Sequence, residues 1–176
     1  MLNRKIISSK KDWGTPLKYV NAVKEVFDNI IELDPCSNEY SIVNAKKEIQ
    51  PPENGLAIDW DYKTIYVNPP YGRDKNVKTN ISDWLKKCSD SYEKYNNEIL
   101  ALIPVSTNTK HWKENIFKRA NGICFLEDTR LKFLNKGIEE KKGAPISCTM
   151  IYWGNNYNKF KEVFSKYGKC FKIILK

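Results

Sequence analysis

The segment Glu98–Pro104, "EILALIP", constrains the fold most, because it is apolar at almost every position and not only at every second one. A strand with this pattern is buried on both faces, as in parallel sheets that helices cover. Along the rest of the chain, short apolar segments alternate with stretches of helical periodicity. This alternation predicts an α/β domain with a mostly parallel sheet and helices on both of its faces.

The boundaries of the other elements follow from periodicity and turn residues. Thr15 is expected to cap the first helix, with Pro16 at the first helical position. Further helices are expected near 81–88, 110–120 and 160–167, and strands near 30–33, 45–49, 55–60, 65–67, 122–127, 147–154 and 170–175. A length of 176 residues suits one core, so residues 1–176 are predicted to form a single domain.

The chain is basic, with 30 Lys and Arg against 21 Asp and Glu and a net charge of +9. This balance favours a polyanionic partner such as nucleic acid, and a lysine-rich compositional bias is the alternative. The five cysteines are odd in number and form no CxxC pair, which indicates free thiols in a reducing compartment. One histidine, His111, excludes a histidine-built metal centre, and no apolar run approaches the roughly 20 residues of a membrane helix. Neither metal nor membrane is therefore expected.

One short predicted strand ends abruptly in Asn68-Pro69-Pro70-Tyr71. Two adjacent prolines stop the strand, remove two backbone donors and fix two φ angles. The Asn68 side-chain oxygen and the Pro69 carbonyl can then accept both hydrogens of a planar amino group, and the Tyr71 ring offers a face for stacking a planar base. The turn therefore suits an exocyclic amine as nucleophile; a plain turn with a core tyrosine is the alternative.

Further motifs surround this turn in a fixed order. Before it come "DWGTPLKYVNAVKEVF", "ELDPCSN" and "ENGLAIDW", the turn itself lies in "YVNPPYG", and after it come "ALIPVSTNT", "TRLKF" and "APISCTMIYWG". The ordered set resembles the phage-type DNA N-6-adenine methyltransferase family, within the S-adenosylmethionine-dependent amino-methyltransferases. The resemblance spans Asp12 to about Trp153. It implies a Rossmann-like methyltransferase sheet, and methyl transfer from S-adenosylmethionine to a flipped-out adenine at specific sites in double-stranded DNA.

The same resemblance implies roles for individual residues. Asp34 would hold the amino group of the cofactor's methionine moiety, with a plain Asx turn or a helix cap as the alternative for this acid. Asn54 would accept a bond from the cofactor's adenine amine. The Gly-x-Gly turn usual in methyltransferases is missing here. The expected catalytic residues are Asn68, Pro69, Pro70 and Tyr71. The expected cofactor-binding residues are Trp13, Thr15, Pro16, Asp34, Pro35, Cys36, Ser37, Asn54 and Asn68.

DNA contacts are expected from basic residues on loops at the rim of the site. The chain is too short for a separate target-recognition domain, so the loops near 73–80 and 128–144 would recognise a short sequence. For Arg130, a salt bridge to Asp128 or Glu127 is an equal alternative to a DNA contact. The expected DNA-binding residues are Arg73, Lys75, Lys78, Lys110 and Arg130.

Other functions are compatible with the same residues. Cytosine N4, RNA adenine and a protein glutamine amide also present a planar amine to an Asn-Pro-Pro-Tyr turn. A basic nucleic-acid-binding module that has kept the fold without activity is a further alternative. The expected location is the cytoplasm, that of the host if a phage encodes the chain. The sequence leaves the oligomeric state open, with a slight preference for a monomer.

Overall fold

The computed structural model describes residues 13–72, 79–128 and 130–174. Seven of the described strands form one sheet in the order β10-β6-β9-β5-β4-β2-β3, and three short ones form a second sheet in the order β1-β7-β8. The strands are β1 (Trp13–Gly14), β2 (Leu33–Asp34), β3 (Lys47–Glu48), β4 (Thr64–Val67), β5 (Glu98–Pro104), β6 (Gly122–Leu126), β7 (Leu134–Asn135), β8 (Ile138–Glu139), β9 (Cys148–Trp153) and β10 (Gly168–Lys172). The helices are α1 (Leu17–Val26), α2 (Ile81–Tyr95) and α3 (Tyr157–Phe164), with a π-helical turn at Trp112–Phe117.

The seven-stranded sheet is mixed, with most of its strands running in one direction. Among the described strands, β2 pairs in parallel with β3 and β4, and β4 pairs in parallel with β5. The three pairings β5–β9, β6–β9 and β6–β10 are antiparallel. Five of the seven strands therefore run in the predicted common direction, and the sheet departs from the prediction at β9, which enters between β5 and β6 in reverse, and at β10.

The central strands send alternate side chains into two separate hydrophobic clusters. On β5, Leu100 and Leu102 join the cluster that contains the buried residues of α1 and α3. Ile99, Ala101 and Ile103 join the cluster that contains the buried residues of α2 and of the π-helical turn. Every residue from Ile99 to Ile103 is fully buried, which confirms the burial pattern predicted for this segment.

Local sequence explains where α2 begins and ends. Asn80 caps its first turn by accepting a hydrogen bond from the Ser82 backbone N–H, and the Asp83 carboxylate accepts one from the Asn80 backbone N–H. This reciprocal arrangement satisfies two of the free donors at a helix start. Asn96 ends the helix in the left-handed conformation at φ 53°. The helix extends to Tyr95, seven residues beyond its predicted end.

The small sheet joins the start of the described chain to a hairpin in the region 128–144. β1 pairs antiparallel with β7, and β7 pairs with β8 across Lys136 and Gly137. Both turn residues have positive φ, 51° and 77°, as a tight two-residue hairpin requires. None of these short strands was predicted from the sequence. They fix Trp13 and Gly14 at the edge of the candidate site.

Three details of the predicted elements are wrong. The segment 55–60 is not a strand but a loop, which Trp60 anchors by burying its ring and donating from Nε1 to the Gly55 carbonyl at 2.8 Å. Thr15 is not the helix cap, because Pro16 holds that position. The helical periodicity of α1 places Leu17 on the same apolar face as Val20 and Val23, whereas Leu17 is 59% exposed and Tyr19 is fully buried.

Candidate active site

The candidate site lies at the carboxyl ends of the parallel strands β2 and β4. These strands are neighbours, with Leu33 opposite Ile65, so the polar residues that follow each strand meet at one edge of the sheet. Ligands of open α/β sheets bind at such an edge. A narrow cleft lies there, with an internal volume of about 20 Å³. It is lined by Trp13, Gly14, Thr15, Asp34, Cys36, Ser37, Asn38, Ser41, Ile42, Val43, Tyr66 and Asn68.

Six of the expected cofactor-binding residues therefore line one cleft: Trp13, Thr15, Asp34, Cys36, Ser37 and Asn68. Pro16 and Pro35 are buried immediately beside it and do not line it. Asn54 does not line it either, because its side-chain oxygen accepts a hydrogen bond from the Leu56 backbone N–H at 3.0 Å.

Asp34 is a buried acid at the end of β2. It is 4% exposed, and its Oδ1 accepts a hydrogen bond from the Cys36 backbone N–H at 3.1 Å. Burial raises the pKa of Asp34 to about 7, and the nearby Glu48 carboxylate contributes in the same direction. A cationic group entering the cleft would stabilise the ionised form of this acid.

The Asn68 side chain is held in one orientation from two sides. Its Nδ2 donates to the Trp13 backbone carbonyl at 3.1 Å, and its Oδ1 lies 3.2 Å from the Tyr71 hydroxyl. The Trp13 carbonyl only accepts, so the amide nitrogen must face it and the oxygen must face Tyr71. The backbone N–H of Asn68 contacts Cys36, whose thiol pKa burial raises well above its usual range, so this sulfur is a neutral partner.

The Tyr71 ring is anchored between the turn and the core. Its hydroxyl is 3.2 Å from both Asn68 Oδ1 and the Leu102 carbonyl, so one proton is shared between two acceptors. Phe133 meets the Tyr71 ring edge to face at 5.8 Å and stacks on Trp13 at 5.1 Å. The three rings form an aromatic row along the site. Of the two prolines in the turn, Pro69 is buried and Pro70 is exposed.

Thr15 contributes a buried hydrogen bond to the floor of the cleft. Its hydroxyl is 2.6 Å from the Tyr66 hydroxyl, and both residues are at most 2% exposed. Tyr66 is on β4, which ends at Val67 directly before Asn68, so this contact ties the segment before α1 to the strand that leads into the Asn68–Tyr71 turn.

Gly55 explains why the "ENGL" motif stands beside the "DPCS" turn. A Cβ at Gly55 would lie 1.7 Å from the Pro35 carbonyl oxygen, a distance at which the backbone must move. Glycine is therefore needed for the two loops to pack this closely.

The sequence of the chain matches a known protein family. The model described as DNA N-6-adenine-methyltransferase (Dam) matches residues 4–171, which is nearly the whole chain. The chain belongs to this family. Among curated proteins, the DNA N-6-adenine-methyltransferase of Haemophilus phage HP1 (strain HP1c1) is 25% identical over 134 residues, which cover 76% of this chain and 72% of the phage protein.

Membership of the Dam family confirms the activity expected from the sequence. The chain is an adenine-N6 methyltransferase that acts on DNA and uses a methyl donor. Within the described residues no group of three or more His, Cys, Asp or Glu side chains could hold a metal ion. In the same part of the chain, no helix is long and apolar enough to cross a membrane.

The sequence marks Glu48 as a candidate ribose-binding acid, with a surface glutamate as the alternative; the residue is half-buried beside the cleft and does not line it. It ends β3 opposite Asp34 and accepts hydrogen bonds from the hydroxyls of Ser37 and Ser41 and from the Ala45 backbone N–H. These bonds fix the Ser37 turn and the loop that closes one side of the cleft. Its position at the end of a short strand, three residues before the proline pair at 51–52, was the available signal.

The expected DNA-binding residues are spread over separate loops. Arg73, Lys75 and Lys78 lie outside the described residues. Lys110 is exposed before the π-helical turn. Arg130 is also exposed, and no ion pair to it occurs in the part of the chain that the structure describes.

The proposed salt-bridge partners of Arg130 are engaged elsewhere. Asp128 accepts hydrogen bonds from Lys18 at 2.7 Å and from the Tyr19 hydroxyl at 2.6 Å. Glu127 pairs with Lys169 at 3.3 Å. The salt-bridge alternative for Arg130 is therefore wrong, and its guanidinium is directed to solvent.

Proposed function

We propose that the methyl donor of this Dam family member is S-adenosylmethionine, and that it binds in the cleft between β2 and β4. S-adenosylmethionine supplies a methyl group that its sulfonium activates for transfer to a nucleophilic amine. The cleft offers the buried acid Asp34 for the cofactor's ammonium and the indole N–H of Trp13, whose nitrogen is buried without a hydrogen-bond partner among the described residues. The indole nitrogens of Trp112 and Trp153 in the core are in the same condition, whereas Trp13 lines the cleft, where an acceptor on a ligand would complement it.

The observation that carries this proposal is the shared cleft of Asp34 and Asn68. Asp34 would bind the positively charged end of the cofactor, and Asn68 would orient the target amine. Both side chains line the same cleft. A methyl donor held by Asp34 would therefore lie beside the amine acceptors. We propose that the fold is accordingly the Rossmann-like methyltransferase sheet with a helix layer on each face, which is supported by the two separate helix-containing clusters.

The catalytic turn acts by orienting the target amine. Asn68 Oδ1 receives only a shared proton from Tyr71, and an amide oxygen has two lone pairs, so it can accept one hydrogen of the adenine amino group. The Pro69 carbonyl accepts the other hydrogen. Two fixed acceptors draw the nitrogen lone pair away from the ring and towards the methyl group. Because the Trp13 carbonyl already holds the amide, this orientation costs little at the moment of reaction.

The target adenine reaches this turn only outside the duplex. A paired amine is bonded within the helix and is not accessible, so we propose that the base flips out of double-stranded DNA. The Tyr71 ring, which is partly exposed beside Asn68 and supported from behind by the buried Phe133, offers the stacking surface for it. Stacking on an aromatic side chain contributes roughly 1–3 kcal/mol per base.

DNA would approach across the segment that contains Arg130. Arg130 stands three residues before Phe133, so its backbone lies within about 11 Å of the aromatic row. Gly143 packs directly against the backbone of Arg130, and the Ala144 N–H donates to the Leu131 carbonyl, so the segment that follows β8 holds the Arg130 segment in place. We propose that this region recognises a short sequence in double-stranded DNA and that the chain works as one domain without a separate target-recognition domain. The DNA substrate and the free thiols favour the cytoplasm as its location.

The test of the function is direct product analysis. The protein is incubated with labelled S-adenosylmethionine and adenine-containing duplex DNA. The DNA is then digested, and the nucleosides are separated and identified by mass spectrometry. We expect label in N6-methyladenine, little label in the matching single strand, and none in N4-methylcytosine. Label in N4-methylcytosine or in RNA alone would replace this function with one of the related amine methyltransferases.

A salt titration tests the DNA surface separately. Binding to duplex DNA should weaken linearly on a log–log plot against salt, and Arg130→Ala should reduce the slope by about one if the guanidinium neutralises one phosphate. Lys94→Ala is the matched control, because Lys94 is in the last turn of α2, which leads to the amino end of β5 and not to the carboxyl ends where the site lies. Equal slopes for Arg130→Ala and the parent protein would remove Arg130 from the interface.

A further inference from the structure

Two cysteines face each other on neighbouring strands at the edge of the large sheet. Cys124 on β6 is directly opposite Cys170 on the edge strand β10. Both side chains are on the same face, because Cys124 belongs to the hydrophobic cluster of α1 and α3 and Cys170 packs against that cluster. Cys124 is fully buried, whereas Cys170 is partly accessible to solvent. Both are free thiols in this structure.

The ladder of hydrogen bonds defines how close the two backbones are. The Glu127 N–H donates to the Tyr167 carbonyl at 2.9 Å, which makes these two residues a hydrogen-bonded pair in the same register. Such pairs alternate along an antiparallel ladder with pairs that exchange no bonds. Cys124 and Cys170 are three steps away and therefore form a pair of the second kind. In such pairs the Cα atoms are about 4.5 Å apart, within the range of about 4.4–6.8 Å found in disulfides.

The surroundings distinguish the two sulfurs chemically. The Cys124 thiol, which donates to the Phe164 carbonyl at 3.6 Å, lies beside Cys170 and lowers the pKa of Cys170, and Ser165 and the positive charge of Lys161 act in the same direction. The pKa of Cys124 is raised by the same interaction and by burial. The accessible sulfur is therefore the better thiolate, and the buried sulfur is a neutral thiol in contact with it. This division is typical of a peroxide-reactive cysteine that stands beside a resolving cysteine.

We propose that Cys124 and Cys170 form a reversible redox site that a hydroperoxide converts to a cross-strand disulfide. The Cys170 thiolate attacks the terminal oxygen of the hydroperoxide, the O–O bond breaks, and the alkoxide or hydroxide that leaves takes up a proton. Cys170 is thereby oxidised to a sulfenic acid. The Cys124 sulfur then attacks the Cys170 sulfur, an S–S bond forms, and the hydroxyl group leaves with the Cys124 proton as water. Two electrons pass from the thiols to the hydroperoxide, and an added dithiol reverses the change.

The site is distinct from the catalytic cleft. β6 and β10 are at one edge of the sheet, and β9 and β5 separate them from β4, which carries Asn68. A disulfide there would bind the C-terminal strand covalently to its neighbour. Its detection needs no measurement of methyl transfer, so the redox site and the methyltransferase function can fail independently.

The experiment uses the full-length, fully reduced protein. The protein is treated with a few equivalents of hydrogen peroxide, remaining thiols are alkylated under denaturing conditions, and peptides are mapped without reduction. We expect one dominant cross-linked peptide pair joining Cys124 to Cys170, an intact mass lower by two hydrogens, and loss of the cross-link after dithiothreitol. Cys88→Ala, which alters a buried cysteine in the other cluster, should keep the cross-link.

Two variants separate the steps. Cys124→Ala should lose the cross-link and accumulate a Cys170 sulfenic acid that dimedone traps, whereas Cys170→Ser should show neither product. Three results in the parent protein would each overturn the proposal. These are Cys170 sulfinic acid with Cys124 still free for alkylation, a cross-link between Cys170 residues of two chains, or a dominant disulfide elsewhere such as Cys36 with Cys88.

Discussion

Asn68 donates a hydrogen bond from its side-chain amide to the backbone carbonyl of Trp13 at 3.1 Å, across 55 residues of sequence. Trp13 is held in place by β1, which pairs with β7, so the small sheet orients an amide on the large one. The site is thus assembled from three parts of the chain that are distant in sequence. The oxygen of the same amide accepts a hydrogen bond from the Tyr71 hydroxyl, and substitutions of Tyr71 test this contact.

Tyr71→Phe should reduce methyl transfer by less than about tenfold, whereas Tyr71→Ala should reduce it by about 10–100-fold. Phenylalanine keeps the ring for stacking and loses only a proton that two acceptors share. Alanine removes the stacking face and opens space beside Phe133. The measurement is the single-turnover rate on duplex DNA with saturating cofactor. Equal losses in the two variants would show that the hydroxyl and not the ring does the work.

Cofactor binding should depend on pH through Asp34. Its pKa is raised to about 7 in the free protein, and an ammonium group bound beside it would lower that pKa. The carboxylate is the form that binds, so affinity should fall by up to about tenfold per pH unit as the pH drops below 7. Calorimetry between about pH 5.5 and 7.5 measures this, below the range in which the cofactor's own amine loses its proton.

Asp34→Asn provides the control for that pH dependence. Asparagine keeps the size and a hydrogen-bond acceptor and removes the titration, so its affinity should be weaker at pH 7.5 and nearly constant below it. Proton release on binding, measured in buffers of different ionisation enthalpy, should vanish as well. A parent protein whose affinity is flat from pH 5.5 to 7.5 would contradict contact between Asp34 and the ammonium.

Thr15 and Tyr66 should show strong coupling in a double-mutant cycle of unfolding. Thr15→Val leaves the Tyr66 hydroxyl buried without its partner at 2.6 Å, and Tyr66→Phe leaves the Thr15 hydroxyl in the same condition. Each single change should lower the free energy of unfolding by about 1–3 kcal/mol. The double variant should lose less than the sum, because it removes both polar groups together. Additive losses in urea denaturation would mean that water satisfies each hydroxyl alone.

Elements with their own burial pattern could be predicted from sequence. β5 begins and ends where the apolar run does, because a strand buried on both faces leaves no polar position to confuse the pattern. The segment 55–60 was wrongly predicted as a strand, because its apolar residues belong to a loop. Trp60 anchors this loop, and Gly55 allows it to pack close to Pro35. The direction of β9 could not be predicted either, because the apolar pattern of a buried strand is the same whichever way the strand runs.

The candidate site could be predicted as a set of residues but not as a set of bonds. Asp34 ends β2, and Asn68 directly follows β4. Because the carboxyl ends of neighbouring parallel strands meet at one edge of the sheet, the topology brings the two side chains to one cleft. The Trp13 carbonyl at Asn68 depends on a hairpin of four strand residues, which is too short to leave a periodic signal. Thr15 was predicted as a helix cap because Thr-Pro fits that pattern locally, while the Tyr66 hydroxyl that it contacts is 51 residues away.

The Asn68 amide, which the Trp13 carbonyl orients, can be tested by two substitutions. Asn68→Ala should lower the single-turnover rate of methyl transfer by about 10²–10³, because it removes a fixed acceptor whose effect is greatest in the transition state. Cofactor affinity and most of the DNA affinity should be kept, because Asp34 and the basic surface are untouched. Asn68→Asp is the sharper variant: its carboxylate oxygen would face the Trp13 carbonyl, which also only accepts, so the side chain should rotate away and activity should fall at least as far. Rates for both variants are measured on duplex DNA at saturating cofactor, with binding of each ligand measured in parallel. If Asn68→Ala transferred methyl groups as fast as the parent protein, the amine would be oriented by other groups and the turn would have only a structural role.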